Sequence, residues 1–341
     1  MASLDLFIVN VATAPDRRAR AVRIWAATGA LASAAGPVLG GLLVAASWRW
    51  VFVINLPIGI LTVVIAARIV PSVVSDRGGR VPDLVGAATL AVGIGALALG
   101  LVQGPEWGWA SAGVVTAFVV AVGGLVVVVQ RCRTHPVPVL QIALLRVRAL
   151  AWSNVTSLVF SIAFAASLLT LVLWLQQVWG YSALRTGLAV APGPLMVPIF
   201  AAVGQRLSRR VPVGVLAAAG CVLLGAGAVL VLLSVTTTPN YAAGVLPGWL
   251  VGAVGVGLAL PTILGSATLD LPADRAATGS AVVNVGRQVG SVLGISMLVV
   301  LLGTPDAGSA LPPFQRVWWA TTGYAGLAGL AALGMTPRSS R

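Results

Sequence analysis

Side chains able to do chemistry are few in this chain. The two cysteines, Cys132 and Cys221, show neither a metal-ligand spacing nor a disulfide framework, and the single histidine, His135, has no cysteine or carboxylate cluster beside it. No metal site and no cofactor are expected, and His135 reads as a loop residue. Three sets of polar residues within apolar surroundings stand out instead. Asp5 lies in the apolar stretch Leu4–Ala14 with Asn10. An acid inside a membrane segment is costly and by default marks function, often proton transfer; the alternative is an acid near the surface of a frayed terminus. A signal peptide fits less well, because the stretch lacks a positive n-region and Asp5 interrupts it, although Ala12-Thr13-Ala14 has the form of a cleavage site. Arg287, with Gln288 beside it, lies within an apolar run. An arginine in hydrocarbon must face a cavity or a partner, so it either lines a central cavity or makes structural hydrogen bonds. Gln176 and Gln177, near the end of another run, either offer polar contacts to a substrate or cap their helix.

Apolar elements must hold these groups. Of 341 residues, 58% are hydrophobic and 9% charged, against about 25% charged in a soluble domain, and mean hydropathy is +1.00. Too few charges remain to cover a water-facing surface. The 40 glycines do not mark disorder, which needs low hydrophobicity; membrane helices tolerate glycine and proline. A transmembrane helix takes about 20 mostly apolar residues. Ten such runs are present, at 24–45, 51–70, 84–104, 111–130, 149–175, 186–203, 213–235, 242–265, 277–302 and 317–335. Gly104-Pro105, Pro136 with Pro138, Pro239-Asn240 and Pro312-Pro313 punctuate the joints. No run alternates with a period of two, so an outer-membrane barrel fits poorly. The expected fold class is all-α: a polytopic membrane helical bundle of ten transmembrane helices plus a short N-terminal stub.

Charge orients the bundle. The net charge of +13 comes from 21 basic and 8 acidic residues, and every basic residue is arginine. In a soluble protein this balance would suggest nucleic acid. Placed against the ten runs, 17 arginines fall on one side, Arg49, Arg185 and Arg316 on the other, and Arg287 inside a span. Cytoplasmic loops are enriched in Lys and Arg. The 17-arginine side is therefore assigned to the cytoplasm, the C-terminus with it, in a multi-pass protein of the cell (inner) membrane. The excess charge is then topology plus contact with anionic lipid, and nucleic acid is not an expected partner. Trp48, Trp50, Trp107, Trp109, Trp174, Trp179, Trp318 and Trp319 sit at outer ends, Trp25 and Trp152 at inner ends, and Trp249 is ambiguous. Indoles suit the headgroup level, so each reads first as an interface anchor.

Glycine patterns add packing information. Gly36-Pro37-Val38-Leu39-Gly40-Gly41 lies in run 24–45. Gly36 and Gly40 share a face that a neighbouring backbone can approach, and Pro37 removes an internal hydrogen bond and bends the helix. Gly286, Gly290 and Gly294 recur every four residues and make a smooth face on run 277–302. After the first motif come Ser47-Trp48-Arg49-Trp50-Val51-Phe52 and Ile54-Asn55-Leu56-Pro57-Ile58-Gly59. A Gly-Pro-x-x-Gly-Gly helix followed by Trp-Arg-Trp and Asn-x-Pro-x-Gly resembles the major facilitator superfamily. Specifically, it resembles the fourteen-span drug:proton antiporter branch, where the first element is called the antiporter motif. Leu4-Asp5-Leu6-Phe7-Ile8-Val9-Asn10-Val11-Ala12 is similar to that branch's first-span signature. Leu175-Gln176-Gln177-Val178-Trp179-Gly180-Tyr181-Ser182 with Thr186-Gly187 is similar to its ninth-to-tenth span junction, and Gly279-Ser280, Asn284, Arg287-Gln288 and Gly290 to its thirteenth span.

The resemblance implies a major-facilitator-like bundle whose ten runs correspond to family spans five to fourteen. Spans two to four, with their gating loop and coupling arginine, have no counterpart. Asp76-Arg77-Gly78-Gly79-Arg80 resembles the gating motif only superficially and lies in a different loop; Gly204 to Pro212 resembles its echo, with Arg209 where an acid is usual. The organisation implied is a first-span remnant (1–14), a partial N-terminal half-bundle of two spans (15–70), a linker pair of spans (71–148), a complete six-helix C-terminal half-bundle (149–335) and a cytoplasmic tail (336–341). The function implied is secondary active transport: proton-coupled export of small apolar or cationic compounds by alternating access, as in multidrug efflux and antibiotic resistance. There Asp5 would exchange protons, and Gly36, Pro37, Gly40 and Gly41 would let their helix pack and rock. Gln176, Gln177, Asn284 and Arg287 would line the substrate route. Its partners would be a small-molecule substrate, protons and membrane lipids, with a homodimer left open. No GxxxxGK[ST] is present, so a pump with its own ATPase is not expected, and no His/Asp cluster supports a membrane enzyme. The alternative is a truncated, non-transporting membrane protein, or an incomplete gene model of such a transporter, because alternating access needs two half-bundles around a midplane site.

Overall fold

The structure is a computed structural model that describes residues 32, 35–69, 83–136, 144, 146–271, 273–303 and 311–336. Ten helices account for most of them: α1 (Ala35–Ala46), α2 (Trp50–Arg68), α3 (Leu84–Trp107), α4 (Ala112–Thr134), α5 (Arg148–Val178), α6 (Ala183–Leu207), α7 (Val213–Ser234), α8 (Tyr241–Ser266), α9 (Ala273–Leu302) and α10 (Leu311–Leu333). Each apolar run thus has its helix. Helices α2 to α9 are long and apolar enough to cross a membrane, α1 is a shorter apolar helix, and α10 has 23 residues. The described residues contain no strand. The protein is a helical membrane bundle.

Local chemistry sets the helix ends. The Asp83 carboxylate accepts from the Gly86 N–H at 2.8 Å and starts α3; Ser182 accepts from the Arg185 N–H at 3.2 Å and starts α6. These side chains satisfy backbone donors that a helix start leaves open. At the other end of α5, Gly180 takes φ +65°, which lets the Tyr181 N–H reach back to the Leu175 carbonyl at 2.9 Å.

Lipid gives no hydrophobic force between helices, so close backbone packing must hold the bundle together. Central helix α5 packs against α8, α9 and α10; α7 lies between α8 and α10, α6 lies on α8, and α3 on α9. Glycine lines the tightest contacts. A Cβ added at Gly227 would come within 2.6 Å of the Gly252 nitrogen, and one at Gly220 within 2.6 Å of the Ala259 nitrogen, along the α7–α8 seam. Along α9, Gly286 meets Asn154, Gly290 the Leu158 carbonyl and Gly294 the Ile162 carbonyl, all on α5. In the α3–α4 hairpin, the buried Gly86, Gly93 and Gly100 repeat every seven residues, the period of a left-handed crossing. A Cβ at Gly124 would stand 3.2 Å from Gly93 Cα. An ion pair closes this hairpin: Arg131 Nη2 lies 2.6 Å from Asp83 Oδ1, and its Nε donates to the same carboxylate at 2.8 Å. Helix α2 is the opposite case: among the described residues, none of its apolar window is buried.

Two features differ from the sequence expectation. Helix α6 is interrupted by a turn at Ala191. The tryptophans also divide. Trp48, Trp50, Trp107, Trp109, Trp152 and Trp319 are exposed, whereas Trp174, Trp179 and Trp318 are buried. Trp174 stands 5.1 Å from Phe314 and 5.4 Å from Trp318, centroid to centroid. The end of α5 and the start of α10 turn these rings inward onto each other, so they pack the core rather than anchor the interface.

Candidate functional site

Polar residues converge beneath the crossing of α1 and α6. The two backbones meet directly there. A Cβ at Gly41 would lie 2.7 Å from the Ala183 carbonyl, and Gly187 is pressed against the Pro37 carbonyl. Beside the crossing is a cavity of about 570 Å³ bounded by α1, α5, α6, α9 and Leu260 of α8. A second compartment of about 370 Å³ adjoins it and shares Pro37, Phe164, Leu168, Val190 and Leu260. Together they fall in the size range of small-molecule sites.

Arg287 lines the larger cavity from α9. Its Nε and Nη2 both donate to Asn284 Oδ1 at 3.1 Å, one helical turn away, and Ser291 Oγ donates to its backbone carbonyl at 3.1 Å. Among the described lining residues it carries the one formal charge. Gln176 enters from α5, where the helix widens into a π turn over Trp174–Val178, with the Trp179 N–H reaching the Trp174 carbonyl at 3.2 Å. Such turns insert one residue and re-aim the side chains around it. Gln176 lines the cavity and Gln177 does not. Thr186, from the first turn of α6, also lines it; this side chain is buried, and its hydroxyl has no hydrogen-bond partner among the described residues.

The smaller compartment is built around Trp249. The Val190 carbonyl has no partner one turn on, because position 194 is proline and carries no N–H. Trp249 Nε1 fills that gap, donating to the Val190 oxygen at 2.9 Å from α8. The ring reaches it across Gly193, where any Cβ would stand 2.5 Å from Nε1. Beside it, the Tyr241 hydroxyl donates to the Ala189 carbonyl at 2.6 Å.

The structure thus brings Pro37, Gly40, Gly41, Gln176 and Arg287 to one cavity and sets Asn284 behind Arg287. The close backbone contact falls on Gly41 and Pro37; no described atom lies within 4 Å of a Cβ at Gly36 or Gly40, because those two face away from α6. Gly286, Gly290 and Gly294 serve the α5–α9 seam rather than the cavity. Asp5 and the stretch 76–80 lie outside the described residues. Sequence reasoning missed Thr186, Trp249 and the Asp83–Arg131 pair. Pro192 and Pro194 were the available signal for the Trp249 contact, since each removes a donor from α6. Asp83, an acid directly before an apolar run, was the signal for the ion pair.

A sequence profile described as the Major Facilitator Superfamily matches residues 6–295. The chain belongs to that superfamily. The matched stretch contains every residue that lines either compartment except Trp318. This major facilitator chain is 30% identical over 308 residues to a methylenomycin A resistance protein of Streptomyces coelicolor, covering 89% of the chain and 63% of that protein. It is 30% identical over 300 residues to the multidrug resistance protein Stp of Mycobacterium tuberculosis, covering 88% and 55%. It is 33% identical over 310 residues to the cephamycin export protein CmcT of Amycolatopsis lactamdurans, covering 86% and 61%. The chain therefore matches somewhat over half the length of each of these relatives.

Proposed function

We propose that this major facilitator chain is a secondary active transporter that exports small molecules by alternating access with proton coupling, rather than an enzyme. The observation that carries the reading is the cavity at the α1–α6 crossing, where Arg287, Gln176 and Thr186 meet a largely apolar wall. The crossing is backbone against backbone, with no side chain interlocked at Gly41 or Gly187. Small sliding motions suit such contacts, so α1 is assigned the rocking role, with Pro37 and Gly41 at the sliding contact and Gly36 and Gly40 of the same motif on the part of the helix turned away from it. Gln176, Gln177, Asn284 and Arg287 are assigned to the substrate route, Asp5 to proton exchange, and membrane lipid to the apolar outer surface. The relatives' names, which speak of resistance and export, favour drug-like cargo. We place the protein in the cell (inner) membrane with its C-terminus in the cytoplasm, on the arginine bias, and align the ten helices with spans five to fourteen of the fourteen-span branch.

The test is efflux of a fluorescent drug from cells expressing the chain, with and without a proton gradient, against Asp5→Asn and Arg287→Ala. Gradient-dependent efflux that Asp5→Asn uncouples is expected. Equal accumulation with and without expression would sink the reading. It would favour the second one, a non-transporting membrane protein.

A further inference from the structure

We infer that the cavity selects amphipathic anions: an apolar body bearing a carboxylate or comparable oxyanion, with the oxyanion at Arg287 and Thr186 and the body in the Trp249 compartment. The inference rests on the export reading of the same cavity and replaces the apolar or cationic cargo that the sequence resemblance implied with an anionic one.

Three observations carry it. The first is charge. Arg287 is the one charged side chain among the described lining residues, and its hydrogen-bond partner there, Asn284, is a neutral amide that orients the guanidinium without cancelling its charge. In a low-dielectric site an organic cation would be repelled there, and an anion would gain a charge-assisted hydrogen bond. A guanidinium has five N–H donors. Two of them go to Asn284 Oδ1, and the rest are available to a ligand.

The second observation is Thr186. Its hydroxyl is buried in the cavity wall without a partner among the described residues. A buried polar group left unpaired is costly, and a turn of this side chain toward the cavity that it lines would let an acceptor oxygen on a ligand relieve it. With the Gln176 amide, the polar end of the cavity is rich in donors, as recognition of an acceptor-only group requires.

The third is shape. The two compartments share Phe164, Leu168, Val190 and Leu260, so the space is elongated. At the far end the N–H of Trp249 is already committed to the Val190 carbonyl. What remains toward the ligand is mostly aromatic and apolar surface, with the Ser167 hydroxyl as the one polar side chain besides the tryptophans among the described lining residues, and it suits a hydrophobic body.

The experiment measures equilibrium binding to the purified full chain in detergent, using 1-pyrenebutyrate, its methyl ester and 1-pyrenemethylammonium followed by pyrene anisotropy. The carboxylate is expected to bind about tenfold more tightly than the ammonium, the size of one charge-assisted hydrogen bond. Arg287→Gln should erase that preference while leaving the ester within about twofold, and Arg287→Lys should restore most of it. Thr186→Val should weaken the carboxylate more than the ester. Preference for the ammonium, or a carboxylate affinity unchanged in Arg287→Gln, overturns the inference. So does equal loss of all three probes in both Arg287 variants, which would make the arginine a structural prop for α9. Binding is read without a gradient, so anion preference with no gradient-driven efflux would count against the export reading and leave the ligand class standing.

Discussion

Asp83 shows how one side chain can serve two helices. Its carboxylate caps α3 and holds Arg131 of α4. The hydrogen bond from the Arg131 guanidinium holds the Asp83 carboxyl below its ordinary value of 3.8, with desolvation pulling the other way and the Gly86 N–H assisting. Because the folded value is depressed, this contribution to stability is complete above the unfolded value and is lost as pH falls through the folded one. Thermal unfolding in detergent should therefore show Asp83→Asn melting below the parent at neutral pH, and the two converging well under pH 3.8. Trp249 gives a second test. Trp249→Phe removes one hydrogen bond, expected to cost about 1 kcal/mol, and Gly193→Ala pushes the ring off Val190. A double-mutant cycle should find the two effects far from additive, and additive losses would mean that the ring does not depend on Gly193. Neither site was read from sequence: the partners lie 48 and 59 residues apart, and apolar periodicity says nothing about which distant loop or helix a polar atom will meet.

At the scale of the helix, glycine position matters more than glycine number. Gly290→Val drives side-chain atoms into the Leu158 carbonyl on α5, overpacking expected to cost about 1–3 kcal/mol or more. Gly36→Ala meets no described atom within 4 Å and should change stability by about 0.5 kcal/mol at most. Size-exclusion profiles and melting temperatures of the two variants should separate them clearly. The four-residue repeat on α9 was legible because its spacing is the spacing of a helix face. The seven-residue repeat on α3 carries the same kind of information at a different period. The π turn over Trp174–Val178 was hidden, since its residues are ordinary helix formers and the widening comes from the surrounding packing. Deleting Gln177 would remove the extra residue that the wide turn accommodates, restoring α-helical geometry there with both flanks in register and re-aiming the side chains of the turn itself. The expected outcome is a folded protein whose ligand binding is impaired through a displaced Gln176.

For the whole molecule, apolar run length and arginine bias made the helices and their proposed orientation readable, while the cavity was not, because it is made by five helices meeting. The two natural cysteines offer a direct check on orientation. Cys132 is partly exposed, beside the Arg131 end of α4, and Cys221 is buried. A membrane-impermeant maleimide should label Cys132 in everted vesicles and spare it in intact cells, with Cys221→Ser making no difference. Labelling of Cys132 from outside intact cells would reverse the proposed orientation.

The α3–α4 hairpin is closed by its own glycine seam and its own ion pair. It also crosses the bilayer twice, so the chain leaves it on the side where it entered. For the insertion machinery, a self-latched even number of crossings is neutral in parity: α5 and everything beyond keep their sidedness whether or not the pair is there. Removing residues 83–134 should thus cost the bundle the α3 contact with α9 and shorten the tether between α2 and α5, without turning any later helix upside down.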